Sequence, residues 1–133
     1  MTQKMILIVD DDPDLRAGLQ VRLNANHYDV ALAADGAASI VEAHKHKPDL
    51  ILLDLGLPAG DGFSVLERLH VNESLSSIPV IVVSGRDRAG NRERALKAGA
   101  KAYMQKPMSN EKLMELIRVI LDEKGHPAVA GYD

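Results

Sequence analysis

A chain of 133 residues has the length of one ordinary domain, and 46% hydrophobic with 26% charged residues is the balance of a globular protein that folds in water. The absence of cysteine excludes thiol redox chemistry and a disulfide scaffold, and a net charge of −3 gives no reason to expect direct nucleic-acid binding. No apolar run approaches the roughly 20 residues of a membrane span and no N-terminal stretch reads as a secretory signal, so a cytoplasmic protein is expected.

Along the chain, strand and helix patterns alternate five times. Met5–Val9 is an apolar run that reads as a buried strand, and it ends in the acids Asp10, Asp11 and Asp12. Asp12 before Pro13 reads as an N-cap with proline at the first helical position, and Leu15, Leu19 and Leu23 continue as one apolar stripe. Tyr28–Ala33 reads as a short strand closed by the turn pair Asp35-Gly36. Ala37–Lys47 reads as a helix that must stop before Pro48. Leu50–Leu53 is a second fully apolar strand and also ends in a carboxylate, Asp54.

The loop Leu55–Asp61 leads into a helix over Gly62–Val71 with Phe63, Leu66 and Leu69 on one face. Pro79–Val83 reads as a strand interrupted by Ser84-Gly85, and Ala89–Ala98 as a weaker helix with Gly99 at its C′ position. Ala102–Met104 is the core of a fifth strand, followed by Gln105-Lys106-Pro107. The last helix starts near Ser109, with Leu113, Leu116, Ile117, Ile120 and Leu121 in amphipathic register. Residues 125–133 carry no periodicity and are expected to be a flexible tail behind one domain over 1–124.

Strands buried on both faces and separated by helices imply a parallel sheet with right-handed crossovers. Such open sheets bind ligands beyond the carboxyl ends of their strands. The residues at or just past those ends are Asp10, Asp11, Asp54, Ser84 and Lys106. Two unit charges 4 Å apart repel by about 4 kcal/mol at an effective dielectric near 20, so crowded acids at a strand tip point to a bound cation.

The motifs "VDDD" (9–12), "DLGLPAGDG" (54–62), "VVSG" (82–85) and "YMQKP" (103–107), in this order and spacing, resemble the receiver domains of two-component response regulators, the CheY-like family. The resemblance extends from Met5 to about Glu123. It implies a flavodoxin-like, doubly wound (βα)5 α/β fold whose five-stranded parallel sheet has the order 2-1-3-4-5. It further implies that Asp54 is a phosphoacceptor and that Mg²⁺ (or Mn²⁺) is held by Asp10, Asp11, Asp54 and the backbone carbonyl of Gly56. Lys106 and Ser84 would contact the phosphoryl oxygens, with Ser84 and Tyr103 forming a switch pair. The Lys106–Pro107 peptide resembles one that is cis in the family.

The implied function is a signalling phosphoacceptor, not a turnover enzyme. Its phosphoryl donor would be a histidine kinase or a histidine phosphotransfer protein. Its output would be a changed surface on the fourth helix, fifth strand and fifth helix, read by a downstream partner or by an output domain missing from this chain. A homodimer formed on phosphorylation through the fourth-helix face is a further implied partner. The sequence departs from the family pattern at Gly56, where a larger side chain is common, and at Met108, where phenylalanine commonly follows Lys-Pro.

Plainer readings apply elsewhere. The glycines at 56, 60 and 62 match no P-loop or dinucleotide fingerprint and serve the turn. Arg86–Lys101, with six basic and two acidic residues, reads as a solvated helix face in preference to a docking surface. His44 and His46, two apart, point away from each other on a helix and form no metal site. A haloacid-dehalogenase-type phosphatase would need an acid where Gly56 stands, and a phosphorylation-independent adaptor would have no use for the full set of acids, hydroxyl and lysine.

Overall fold

The structure is a computed structural model and describes residues 3–57 and 62–122. It contains, in order, β1 (Met5–Val9), α1 (Pro13–Ala25), β2 (Asp29–Ala33), α2 (Gly36–His46), β3 (Leu50–Leu53), α3 (Gly62–Val71), β4 (Val80–Ser84), α4 (Arg88–Lys97), β5 (Ala102–Gln105) and α5 (Asn110–Asp122). All pairings are parallel and the strand order is β2-β1-β3-β4-β5. This is the doubly wound, flavodoxin-like arrangement expected from the sequence. The expected tail over 125–133, and residues 58–61 of the loop after β3, lie outside the described residues.

Because side chains alternate across a strand, the central strands feed two separate cores. Leu7 and Val9 of β1, with Ile51 and Leu53 of β3, pack against Ala43 of α2, Phe63, Leu66 and Leu69 of α3, and Ala95 of α4. Ile6 and Ile8, with Leu50 and Leu52, face Leu19 and Leu23 of α1 and Leu113, Leu116 and Ile117 of α5. Met108 packs at the margin of this second core. Full burial of each such side chain contributes about 1.5–3 kcal/mol, which explains why the strands are apolar without interruption.

Several boundaries differ from the sequence reading, each for a local reason. Asp35-Gly36 is not a free turn: Asp35 caps α2, its Oδ1 accepting from the Ala38 N–H at 2.8 Å, so the helix begins at Gly36. It ends before Lys47, which adopts a left-handed conformation as C-cap. Ser84 completes β4 instead of interrupting it, since it pairs in register with Gln105 of β5. α4 starts irregularly, with non-helical backbone at Ala89 and a positive φ of 76° at Gly90, a value that costs glycine little.

The strand order reverses between β1 and β3, and their register Val9↔Leu53 sets Asp10 beside Asp54 at the carboxyl edge. The link is direct, for the Asp54 N–H donates to the carbonyl of Val9 at 2.9 Å. At the other side of the edge, the Lys106 N–H donates to the carbonyl of Ser84 at 2.7 Å. The Lys106–Pro107 peptide is cis.

Candidate functional site

Asp10, Asp11, Asp12, Asp54, Gly56, Ser84, Gly85, Arg86 and Lys106 line one open cavity of about 360 Å³ at the carboxyl edge of the sheet. The five residues that the sequence reading gathers at the strand ends therefore line one cavity: two acids after β1, one after β3, a hydroxyl closing β4 and an amine after β5. Asp10, Asp54 and Ser84 are buried to 3%, 8% and 1% of their full exposure, whereas Asp11 is exposed.

Asp10 is held at every polar atom. Its N–H donates to Ala33 and its carbonyl accepts from the Arg16 guanidinium at 2.6 Å. One carboxylate oxygen accepts from the Asp12 N–H at 2.9 Å, and the other accepts from Lys106 Nζ at 2.8 Å. Asp12 stands outside the acid cluster's centre and caps α1, accepting from the N–H groups of Asp14 and Leu15. Lys106 Nζ also lies 3.6 Å from Asp54 Oδ2. Burial alone would depress the Lys106 ammonium, but the hydrogen bond it donates to Asp10 and the charge of Asp54 outweigh it, and its pKa is raised above 10.5.

Asp54 Oδ1 accepts from the Gly56 N–H at 3.2 Å, which bends the chain back over the carboxylate. Gly62 brings the start of α3 against the same backbone, donating its N–H to the carbonyl of Leu55 at 3.0 Å. A Cβ there would stand 2.4 Å from Leu55 Cα and 2.6 Å from the Asp54 carbonyl oxygen, so only glycine fits this close approach.

Carboxylate oxygens of Asp10, Asp11 and Asp54 lie within 4.8 Å of one another. Such a set suits a hard divalent cation that prefers oxygen donors, of which Mg²⁺ is the smaller and more water-retaining choice. The acidic group can therefore hold a metal, and its donor chemistry fits the expected one.

Ser84 Oγ accepts from the Arg86 N–H at 3.1 Å, and the hydroxyl of Tyr103 donates to the Arg86 carbonyl at 2.8 Å. Tyr103 is fully buried against the first core, and burial pushes its phenol above the usual value of 10.0. Ser84 and Tyr103 thus grip the same turn from two sides. Two residues of the site escaped the sequence reading. Arg16 is recognisable only from its place one turn into α1, and Arg86 only from its place two residues past Ser84. Arg94 of α4 stacks over the Phe63 ring at 3.8 Å, another contact with no sequence signal.

Among the described residues no helix is long and apolar enough to cross a membrane. The family model for the response regulator receiver domain matches residues 6–118. Transcriptional regulatory protein PrrA of Mycobacterium bovis is 35% identical over 130 residues, which covers 98% of this chain and 55% of the relative. The chain spans about half the length of the curated relatives it matches first. Among solved structures, a CheY-like receiver domain protein of Methanospirillum hungatei is 32% identical with a TM-score of 0.85, covering 91% of this chain and 95% of its own. The receiver domain of a sensor histidine kinase of Pseudomonas aeruginosa, solved with a magnesium ion in its active-site cleft, is 29% identical with a TM-score of 0.83, covering 92% of this chain and 100% of its own. By sequence and by fold alike, this chain belongs to the response regulator receiver domain family.

Proposed function

We propose that this receiver accepts a phosphoryl group on Asp54 from a histidine kinase or a histidine phosphotransfer protein in the cytoplasm. The observation that carries the reading is the meeting of three carboxylates with one ammonium, Lys106 bridging Asp10 and Asp54 at the rim of the sheet. In the transfer, a lone pair of an Asp54 carboxylate oxygen forms the new O–P bond while the P–N bond to the donor imidazole breaks. The bonding pair returns to the ring nitrogen, which takes a proton from water. The chain assists this step on itself and turns over no external substrate.

Mg²⁺ (or Mn²⁺) would be held by Asp10, Asp11, Asp54 and the Gly56 carbonyl, and would supply charge neutralisation at the phosphoryl oxygens. Asp11, exposed and free of hydrogen bonds among the described residues, would be a direct ligand. Asp10, fully engaged by Lys106, Asp12 and Arg16, would act through a water. Lys106 neutralises one phosphoryl oxygen as a point charge, and the Ser84 hydroxyl donates to another. That donation withdraws Ser84 Oγ from the Arg86 N–H, and Tyr103, bonded to the same turn, transmits the change to the α4–β5–α5 surface.

Reversing a two-state equilibrium from 1:99 to 99:1 takes about 5.5 kcal/mol of differential binding. New charge-assisted bonds from Lys106, Ser84 and the metal are of that order together, at about 1.5–3 kcal/mol each. The switched face passes the signal to a downstream partner, to an output domain on a longer chain, or to a second phosphorylated copy. The test is intact mass after incubation with Mg²⁺ and acetyl phosphate. The wild type should gain one phosphoryl group and Asp54→Asn none. A folded wild type that stays unmodified at millimolar donor overturns the reading.

A further inference from the structure

Arg16 is not among the residues that the phosphoacceptor chemistry calls for, yet its Nη1 donates to the carbonyl of Asp10 at 2.6 Å. That carbonyl belongs to the peptide joining Asp10 to Asp11. Because a peptide unit is planar, fixing its oxygen also fixes the plane that carries the Asp11 Cα. The two acids differ in how much else restrains them. Asp10 is buried and bonded through both carboxylate oxygens. The Asp11 carboxylate is exposed and makes no hydrogen bond or ion pair among the described residues, so its direction depends on its backbone.

We propose that Arg16 is a positioning residue for the cation site, orienting the Asp10–Asp11 peptide so that the Asp11 carboxylate converges with Asp10 and Asp54. The inference rests on the reading of these acids as a divalent-cation site. It also makes a prediction of unusual sign. Removing a positive side chain near an acidic pocket strengthens cation binding if charge alone matters. Removing Arg16 weakens it, because the loss of ligand orientation outweighs the loss of repulsion.

The test is Mn²⁺ binding to the full chain, followed by electron paramagnetic resonance of the free ion, with the thermal midpoint of each metal-free variant measured beside it. Arg16→Met should raise the dissociation constant about fivefold. Arg16→Lys, which keeps a donor able to reach the carbonyl, should stay within about twofold of wild type. Arg22→Met, which removes an exposed charge from the last turn of α1, should change nothing. Binding by Arg16→Met as tight as or tighter than wild type overturns the inference. So does Arg16→Lys as weak as Arg16→Met, or an Arg16→Met protein that no longer folds. A wild type that binds no Mn²⁺ removes the proposed cation site itself, an outcome distinct from the failure of Arg16 alone.

Discussion

Lys106 and Asp10, 96 residues apart in the chain, share a charged hydrogen bond of 2.8 Å at the edge where β1 and β5 end. The same ammonium lies 3.6 Å from Asp54, so it acts as an internal counter-ion for two buried carboxylates. It also competes with any cation that those carboxylates bind. Lys106→Met should therefore have two opposite effects. Without metal the variant should lose about 2 kcal/mol of stability, the scale of a hydrogen bond to a charged group whose partner is left behind. Its affinity for Mg²⁺ should rise about fivefold, ~1 kcal/mol. Urea unfolding without Mg²⁺ and calorimetric titration with it measure the two effects. A variant that is as stable as wild type and binds Mg²⁺ no better contradicts the counter-ion role.

The same pair contributes to how stability changes at alkaline pH. The folded-state pKa of Lys106 is raised above 10.5, because Asp10 and Asp54 outweigh the opposing effect of burial. Between the ordinary and the raised value the unfolded chain binds fewer protons than the folded one, so stability falls with rising pH. The contribution of Lys106 is thus complete below 10.5 and is lost as pH climbs through the raised value. Tyr28 and Tyr103, both raised mainly by burial, lower stability in neighbouring conditions for the same reason. Only the difference between wild type and Lys106→Met isolates the lysine. That difference should be flat from about pH 7 to pH 10 and shrink above it; a difference that grows with alkalinity refutes the assignment.

What the sequence made legible was the part governed by short-range rules. Runs such as Ile6–Val9 and Leu50–Leu53 had to be buried strands, and the parallel-sheet rule then gathered Asp10, Asp54, Ser84 and Lys106 at one edge. Boundaries were less readable where one signal serves two structures. Asp35-Gly36 is equally a turn pair and a capped helix start, and only the Asp35–Ala38 bond decides it. Arg16 and Arg86 were invisible for another reason. A long basic side chain on a helix or loop looks solvated in sequence, and its reach to a particular carbonyl or turn depends on the fold being complete. The contact of Arg94 with Phe63 belongs to the same class.

Gly62 and Gly18 offer a matched test of close approach. A methyl group at Gly62 would meet the backbone of Leu55 and Asp54 at 2.4–2.9 Å, and backbone cannot move aside as a side chain can. Gly62→Ala should cost about 3 kcal/mol, the upper part of the range for overpacking, and should disturb Asp54 in particular. Gly18, inside α1, has nothing within 4 Å of its added Cβ. Gly18→Ala should stabilise by about 0.5–1 kcal/mol through the entropy of the unfolded chain and the helix propensity of alanine. Urea midpoints of the two variants should move in opposite directions, and equal shifts of the same sign would remove the packing argument.

Gly56 bears on how long a phosphoryl group would remain on Asp54. A Cβ built there lies 3.8 Å from each Asp54 carboxylate oxygen, ordinary contact distance, so among the described residues there is room for a side chain beside the Asp54 carboxylate. Hydrolysis of an acyl phosphate needs a water in line with the P–O bond, and glycine at 56 puts no side chain in the way of one. Gly56→Met keeps the backbone N–H that bonds Asp54 Oδ1 and leaves Asp10, Asp11 and Lys106 untouched. It should lengthen the life of the aspartyl phosphate severalfold while changing Mg²⁺ affinity less than twofold. After removal of acetyl phosphate, the decay of the phosphorylated mass with time measures the first quantity and calorimetry the second. Equal decay in wild type and variant would contradict a shielding role for a side chain at position 56.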